Sequence, residues 1–285
     1  MALHLPTFFT RLGSAIVFSL IMMAGLLWHN GAFVLLTGLI MILCMREYFI
    51  ILKKIFLPEK ALATWTSYTI LIPSILALTA MSIFLFVPEQ MAWAVACCSI
   101  AVVVVVIGFL ASMLSQQACF GMWAKYVSAI VYILLPMVLL LWLRNISLVI
   151  PVALILMIWM NDTMAYLVGS FIGKTPFSKI SPKKTWEGTI GGVLLTLIGA
   201  AVWGYFSPHY RMIDWMALAL CAAIAGTIGD LFESKLKRMA DVKDSGAMMP
   251  GHGGALDRFD SLLIATPFAF AYAINFMPPI PIVVF

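Results

Sequence analysis

Long apolar runs separated by short polar stretches divide the chain into nine windows, at approximately 12–28, 32–52, 61–87, 91–114, 126–143, 146–168, 188–206, 215–232 and 261–279. A helix needs about 20 predominantly apolar residues to cross the hydrocarbon core of a bilayer, and each window comes near or exceeds that length. Pro73 falls inside the third window and predicts a kink, which neighbouring helices of a bundle tolerate. The pattern predicts an all-α, polytopic integral membrane protein with about nine transmembrane helices.

Composition agrees with the pattern and narrows the alternatives. The 285 residues are 64% hydrophobic and 10% charged, whereas ordinary soluble domains have roughly 45–50% and 25%. That balance excludes a soluble globule, a disordered chain and a nucleic-acid binder with a basic surface on a soluble core. The five cysteines, Cys44, Cys97, Cys98, Cys119 and Cys221, show no CxxC spacing and lie in or beside apolar segments. They read as packing residues, neither a disulfide framework nor a zinc site. Arg11 followed by an apolar stretch resembles a signal peptide, but the apolar pattern resumes after His29, Asn30 and Gly31, which predicts a retained first helix.

Charge placement supplies an orientation. Counted on alternate sides of nine spans, fifteen of the seventeen Lys and Arg share one side, and only Arg144 and Arg211 fall on the other. The positive-inside rule then predicts a cytoplasmic N-terminus and an external C-terminus. Asp214 shares the outer loop with Arg211, and Asp214→Asn is expected to keep near wild-type activity.

Charge is also uneven along the chain, since residues 162–260 hold nineteen of the twenty-nine charged side chains. Residues 1–145 therefore read as a hydrophobic scaffold and residues 146–285 as the region that carries chemistry. Arg46 and Glu47, at a helix end in the first half, read as a snorkelling pair or a support for the site. Asp162 sits between the apolar runs Pro151 to Met160 and Ala165 to Val168, and a carboxylate so placed is a functional candidate facing a polar cavity, a cation or a basic partner. GSFIGKT, Gly169 to Thr175, has one residue too few between its glycines for a P-loop. Close helix packing through GxxxG explains Gly169 with Gly173, and Gly188 with Gly192. The loop SKISPKKTWEG, Ser178 to Gly188, offers Lys183 and Lys184 to an anion or to acidic headgroups.

The densest polar cluster runs from Gly229 to Ser261. If the preceding span continues as a helix, Asp230, Ser234, Lys237 and Asp241 share one face. Beyond it Gly246, Pro250, Gly251, Gly253 and Gly254 break the helix, and amides of such turns can cradle phosphate oxygens. Asp257 and Asp260 follow, three apart, on the first turn of the next helix. Carboxylates from two segments interleaved with Lys237, Arg238, Lys243 and Arg258 suit phosphoryl chemistry, in which hard oxygen ligands hold Mg²⁺ and cations neutralise phosphates. A cation channel or transporter is the competing class, but it should repeat its broken helices in both halves, and here polar residues crowd the second.

The stretch SKLKR, four residues, then KDSGAMMPGHGGALDRFD, from Ser234 to Asp260, resembles the signature of the phosphatidate cytidylyltransferase (CDP-diacylglycerol synthase) family. NDTMAYLVGSFIGK, SPKKTWEG and GDLFES upstream extend the resemblance over roughly residues 160–262. It implies a nucleotidyltransferase that moves CMP from CTP to phosphatidic acid, with a related enzyme acting on another lipid phosphate or a polyprenol as the alternative. It implies Asp230 and Asp257 as metal ligands, completed or supported by Asp260 and Asp162, for Mg²⁺ with or without a second cation. Lys237, Arg238, Lys243 and Arg258 would screen the reacting phosphates, and Gly251, His252, Gly253 and Gly254 would shape the phosphate-binding turn. Ser234, Lys183 and Lys184 are expected beside the substrates. A homodimer in the cell membrane of a bacterium, its site facing the cytoplasm and with no nucleic-acid partner, completes the expectation.

Overall fold

The computed structural model describes residues 5–56, 65–114, 117–248 and 253–277. Nine helical runs account for most of them: α1 (Leu5–Leu27), α2 (Asn30–Phe56), α3 (Trp65–Phe86) and α4 (Met91–Leu114) come first. α5 runs through Gln117–Ala129, a π turn at Ile130–Leu134 and Leu135–Ile146, and α6 is Val149–Ile172. α7 (Trp186–Phe206), α8 (Met212–Met239, with a π turn at Cys221–Ala225) and α9 (Leu256–Phe276) complete the series. Eight of these runs are long and apolar enough to cross a membrane, and α1 contributes the shorter apolar stretch Ile16–Leu27. The described residues contain no strand, only an isolated bridge between Pro176 and Thr185. The protein is an all-helical integral membrane protein, as the apolar windows predict.

The helices begin and end for local reasons. In α5, Pro136 lacks an N–H, and its ring crowds the carbonyl four residues back, at Tyr132. The π turn over Ile130–Leu134 accommodates that crowding without ending the helix. The eighth apolar window extends well past its predicted end, so α8 carries the polar segment GDLFESKLKRM as helix. It stops at Met239, and Asp241 takes a left-handed backbone with φ 53°. Asp241 thus leaves the helical face on which Asp230, Ser234 and Lys237 lie.

The chain forms two compact units, Met1–Leu141 with Met239–Phe259, and Trp142–Arg238 with Asp260–Phe285. Within the first unit α4 buries only the small residues Ala94, Ala101, Gly108 and Ser112. A β-carbon added at Gly108 would come within 2.6 Å of Thr69 on α3. The remaining faces of α4 present Val102, Val103, Ile107 and Leu110 outward, a surface suited to lipid, where close approach of small residues replaces the hydrophobic effect as the force between helices.

The second unit uses the same device. α7 buries Gly188, Gly192, Thr196, Ala200 and Gly204, one residue every fourth position, so a single stripe of small side chains meets its neighbours. A β-carbon on Gly188 would lie 2.7 Å from the Ala165 carbonyl oxygen of α6, and one on Gly204 2.8 Å from the Met212 Cα of α8. Gly169 meets Gly188 in this seam, and Gly173 follows the end of a helix rather than a strand, so the packing reading of these glycines holds.

Asp214, beside Arg211 at the start of α8, is buried in a polar cluster. It is 1% exposed, receives two bonds from the Arg211 guanidinium at 3.0 and 3.1 Å, and accepts the Tyr272 hydroxyl at 2.8 Å. It also accepts the Arg211 backbone N–H and so closes the start of α8. Asp214→Ala should therefore lower the unfolding temperature in detergent by several degrees, because Arg211 and Tyr272 lose a shared partner. A melting curve that matches the wild type would show that this cap carries no weight.

Candidate functional site

The polar chemistry of the second unit is gathered by a folded-back excursion between α6 and α7. Phe177 N–H donates to the Lys184 carbonyl and Trp186 N–H to the Thr175 carbonyl, and the Phe177 and Trp186 rings meet edge-on at 4.6 Å. Glu187, on the first turn of α7, accepts from the backbone of Lys174 and Thr175 and from the Thr175 hydroxyl. Thr185 caps the same helix by accepting from Gly188 N–H. These bonds return Lys183 and Lys184 to the end of α6, where they line a cavity of about 330 Å³ with Asn161, Asp162, Tyr166, Ser170, Thr189, Thr227 and Asp230. Asn161 is buried, and its side-chain oxygen has no hydrogen-bond partner.

Beside that cavity α8 and α9 bring three carboxylates together. Asp230, Glu233 and Asp260 each place an oxygen within 4.8 Å of the others, with Glu233 fully buried and Asp260 7% exposed. Asp230 forms an ion pair with Lys184 and accepts the Ser234 hydroxyl at 3.3 Å. Lys237 Nζ lies 2.6 Å from Glu233, one turn along the helix. The close approach depends on Gly229, since a β-carbon there would collide with the Asp260 carbonyl oxygen and lie 3.1 Å from Ser261 Cα. Three carboxylates with partly buried oxygens form a donor set for a hard divalent cation.

The turn before α9 belongs to the first unit and has its own bracing. Asp257 Oδ2 accepts from Ser245 N–H and Oγ, both at 2.9 Å, and from Gly254 N–H at 2.7 Å. Glu47 of α2 accepts from Ser245 Oγ at 2.7 Å and from the Ala255 and Leu256 N–H groups at 2.9 and 2.8 Å. Gly253 has φ +80°, a conformation that glycine adopts without strain.

The expected residues are therefore distributed unevenly. Lys183, Lys184, Asp162 and Asp230 line one cavity; Asp230 joins Asp260, and Ser234 and Lys237 attach to their helix. Asp257 is engaged in holding the turn. Arg238, Lys243 and Arg258 are exposed, and Gly251 and His252 lie outside the described residues. Glu233 was absent from the expected ligand set, although its place three residues after Asp230 on a helix puts both carboxylates on adjoining positions.

An integral membrane protein that gathers lysines and carboxylates in this way invites comparison with known families. Residues 9–276 match the model of the cytidylyltransferase family, and the chain belongs to that family. Three phosphatidate cytidylyltransferases are similar to it. The protein of Synechocystis sp. is 43% identical over 125 residues, which cover 42% of each chain. That of Bacillus subtilis is 44% identical over 115 residues, covering 40% of this chain and 43% of the relative. For Staphylococcus aureus (strain COL) the identity is 46% over 115 residues, covering 39% and 44%. The matched stretch thus spans about two-fifths of the length of these relatives.

The contact at Gly229 gives a direct test of how the carboxylates are assembled. Gly229→Ala should destabilise the protein by about 1–3 kcal/mol, as overpacking does elsewhere. Gly226→Ala should be tolerated, because its added carbon would sit 3.4 Å from Ser261 Cβ, in ordinary contact. Thermal unfolding of the two variants side by side checks the contrast, and equal behaviour would remove Gly229 as the point of closest approach.

Proposed function

We propose that the protein transfers CMP from CTP to phosphatidic acid, giving CDP-diacylglycerol and pyrophosphate. The observation that carries this reading is the lysine-lined cavity adjoining Asp230, Glu233 and Asp260 in a membrane-spanning member of the cytidylyltransferase family. A phosphate oxygen of phosphatidate attacks the α-phosphorus of CTP, the new P–O bond forms, and the bond from the α-phosphorus to the bridging oxygen breaks. Pyrophosphate leaves with that oxygen. The nucleophile is already an anion, so no residue need form a covalent intermediate, and catalysis is positioning and charge neutralisation.

Each polar residue then has a definite task. Lys183 and Lys184 hold anionic oxygens at the cavity wall, and Asp230 fixes the Lys184 ammonium in place. Asp230, Glu233 and Asp260 would hold Mg²⁺, which supplies charge neutralisation to phosphate oxygens when bound. Lys237 sits against Glu233 and offsets its buried charge. Asp162 lines the cavity as a further carboxylate. Lys243 and Arg258 keep the role that the family resemblance implies for them, screening the reacting phosphates. Acyl chains remain in lipid throughout, which accounts for a membrane-embedded scaffold.

The charge partition of the loops supports a cytoplasmic N-terminus and a site open to the cytoplasm, and the bacterial relatives support a cell-membrane location. A homodimer is part of the proposal through the family resemblance. The reaction is tested with protein purified in detergent: pyrophosphate release from CTP should require phosphatidate and Mg²⁺ together. Release with another lipid phosphate but not with phosphatidate would replace the acceptor, and release without any lipid would sink the reading. For orientation, single cysteines at positions 183 and 211 in a cysteine-free background should react with an impermeant reagent from opposite sides, position 211 alone being reached in intact cells.

A further inference from the structure

The cavity of the second unit holds one polar atom that the fold leaves unanswered. Asn161 is 3% exposed, the most buried of the residues lining that cavity, and its Oδ1 has no hydrogen-bond partner among the described residues. A buried acceptor without a donor costs stability, and folded proteins as a rule supply one. Here the hydroxyls of the same lining are committed elsewhere: Thr227 donates to the Ala223 carbonyl and Ser170 to the Leu167 carbonyl, both at 2.7 Å. Lys184 is held by Asp230. Nor is the backbone free to shift, because α7 packs against it at Gly192, where an added β-carbon would lie 2.9 Å from the Asn161 carbonyl oxygen. The cavity itself, about 330 Å³, falls in the range that small ligands occupy.

An acceptor held in this way is open to a donor that arrives with a ligand. Of the two substrates in the proposed reaction, phosphatidate offers ester carbonyls and ionised phosphate oxygens, which are acceptors, whereas CTP carries N–H donors on its base and O–H donors on its sugar. We infer that Asn161 is a specificity-determining residue for the nucleotide: its Oδ1 accepts a hydrogen bond from the nucleoside of CTP, given by the cytosine amine or by a ribose hydroxyl. This rests on the proposed use of CTP. A bond from the amine would also select the base, since uracil presents a carbonyl oxygen at that position and would set acceptor against acceptor. The unsatisfied atom is then a cost carried by the empty site and relieved on binding.

The test compares wild type with Asn161→Leu, similar in size but without polar atoms, and with Asn161→Ala, all in detergent. Binding of CTP, UTP and the 2′- and 3′-deoxy analogues of CTP, each with Mg²⁺, is measured by calorimetry without lipid. Mn²⁺ binding without nucleotide, thermal unfolding and steady-state kinetics with each substrate varied complete the set. Asn161→Leu should melt no lower than wild type, because the unsatisfied acceptor is gone. It should nevertheless bind CTP about tenfold more weakly, the loss of one well-made hydrogen bond, and raise the KM for CTP but not that for phosphatidate. If the amine is the donor, UTP binding is unaffected by the substitution and the preference for cytosine collapses; if a hydroxyl is, the matching deoxy analogue is the one unaffected. CTP affinity equal to wild type in both variants, a loss confined to Mn²⁺ binding, or a shift in the phosphatidate KM alone would each overturn the inference. Weaker CTP binding with a lowered melting temperature in both variants would make the effect structural and overturn it too. Wild-type protein that binds no CTP would refute the inference and the proposed function together. Wild-type protein that binds CTP but does not turn over phosphatidate would refute only the acceptor, and the calorimetric comparison would still judge Asn161.

Discussion

A buried carboxylate in so apolar a chain is stable only when something compensates its charge, and this constraint organises the polar half of the molecule. Glu233 is fully buried and Asp260 nearly so, with Asp230 beside them. Lys237 and Lys184 supply part of the compensation, and a cation would supply the rest. Because desolvated ions tolerate little error in placement, the supporting backbone must hold them closely. Gly229 does this by letting α8 and α9 touch main chain to main chain.

The same close approach recurs where no charge is involved. The small stripe of α7 and the Gly108 contact of α4 bring helix backbones together in lipid, where apolar area alone gives no preference for protein over solvent. Packing and chemistry therefore depend on one device. What differs is the polar lining of the cavity, where Lys183 and Lys184 meet Asp162 and Asp230.

The helices were legible in the sequence because a bilayer imposes a minimum apolar length, and charge-poor windows report it directly. Their polar ends were less legible: α8 continues to Met239 because Lys and Arg near its end suit both solvent and the helix dipole. Asp162 stood out as an acid between apolar runs, and Asp230 and Asp260 as acids of the dense polar cluster from Gly229 to Ser261. Glu233 did not, since a Glu and a Lys four residues apart read as an ordinary surface pair until burial is known. Asp257 has the composition of a ligand but accepts bonds from its own turn. Glu47 drew notice only as a possible support, because no local pattern encodes partners two hundred positions away.

That separation has a temporal side. Ser245 follows Glu47 by 198 residues, so at about 5–20 residues per second a ribosome needs on the order of 10 to 40 s to deliver the first partner of that carboxylate. During synthesis α2 must therefore enter the bilayer with an acid that has none of its final donors, and water or lipid headgroups must serve in their place. The first compact unit cannot close until the last helix begins to emerge. The order of assembly is thereby set by the chain itself: the long middle segment is made before the half that precedes it is complete.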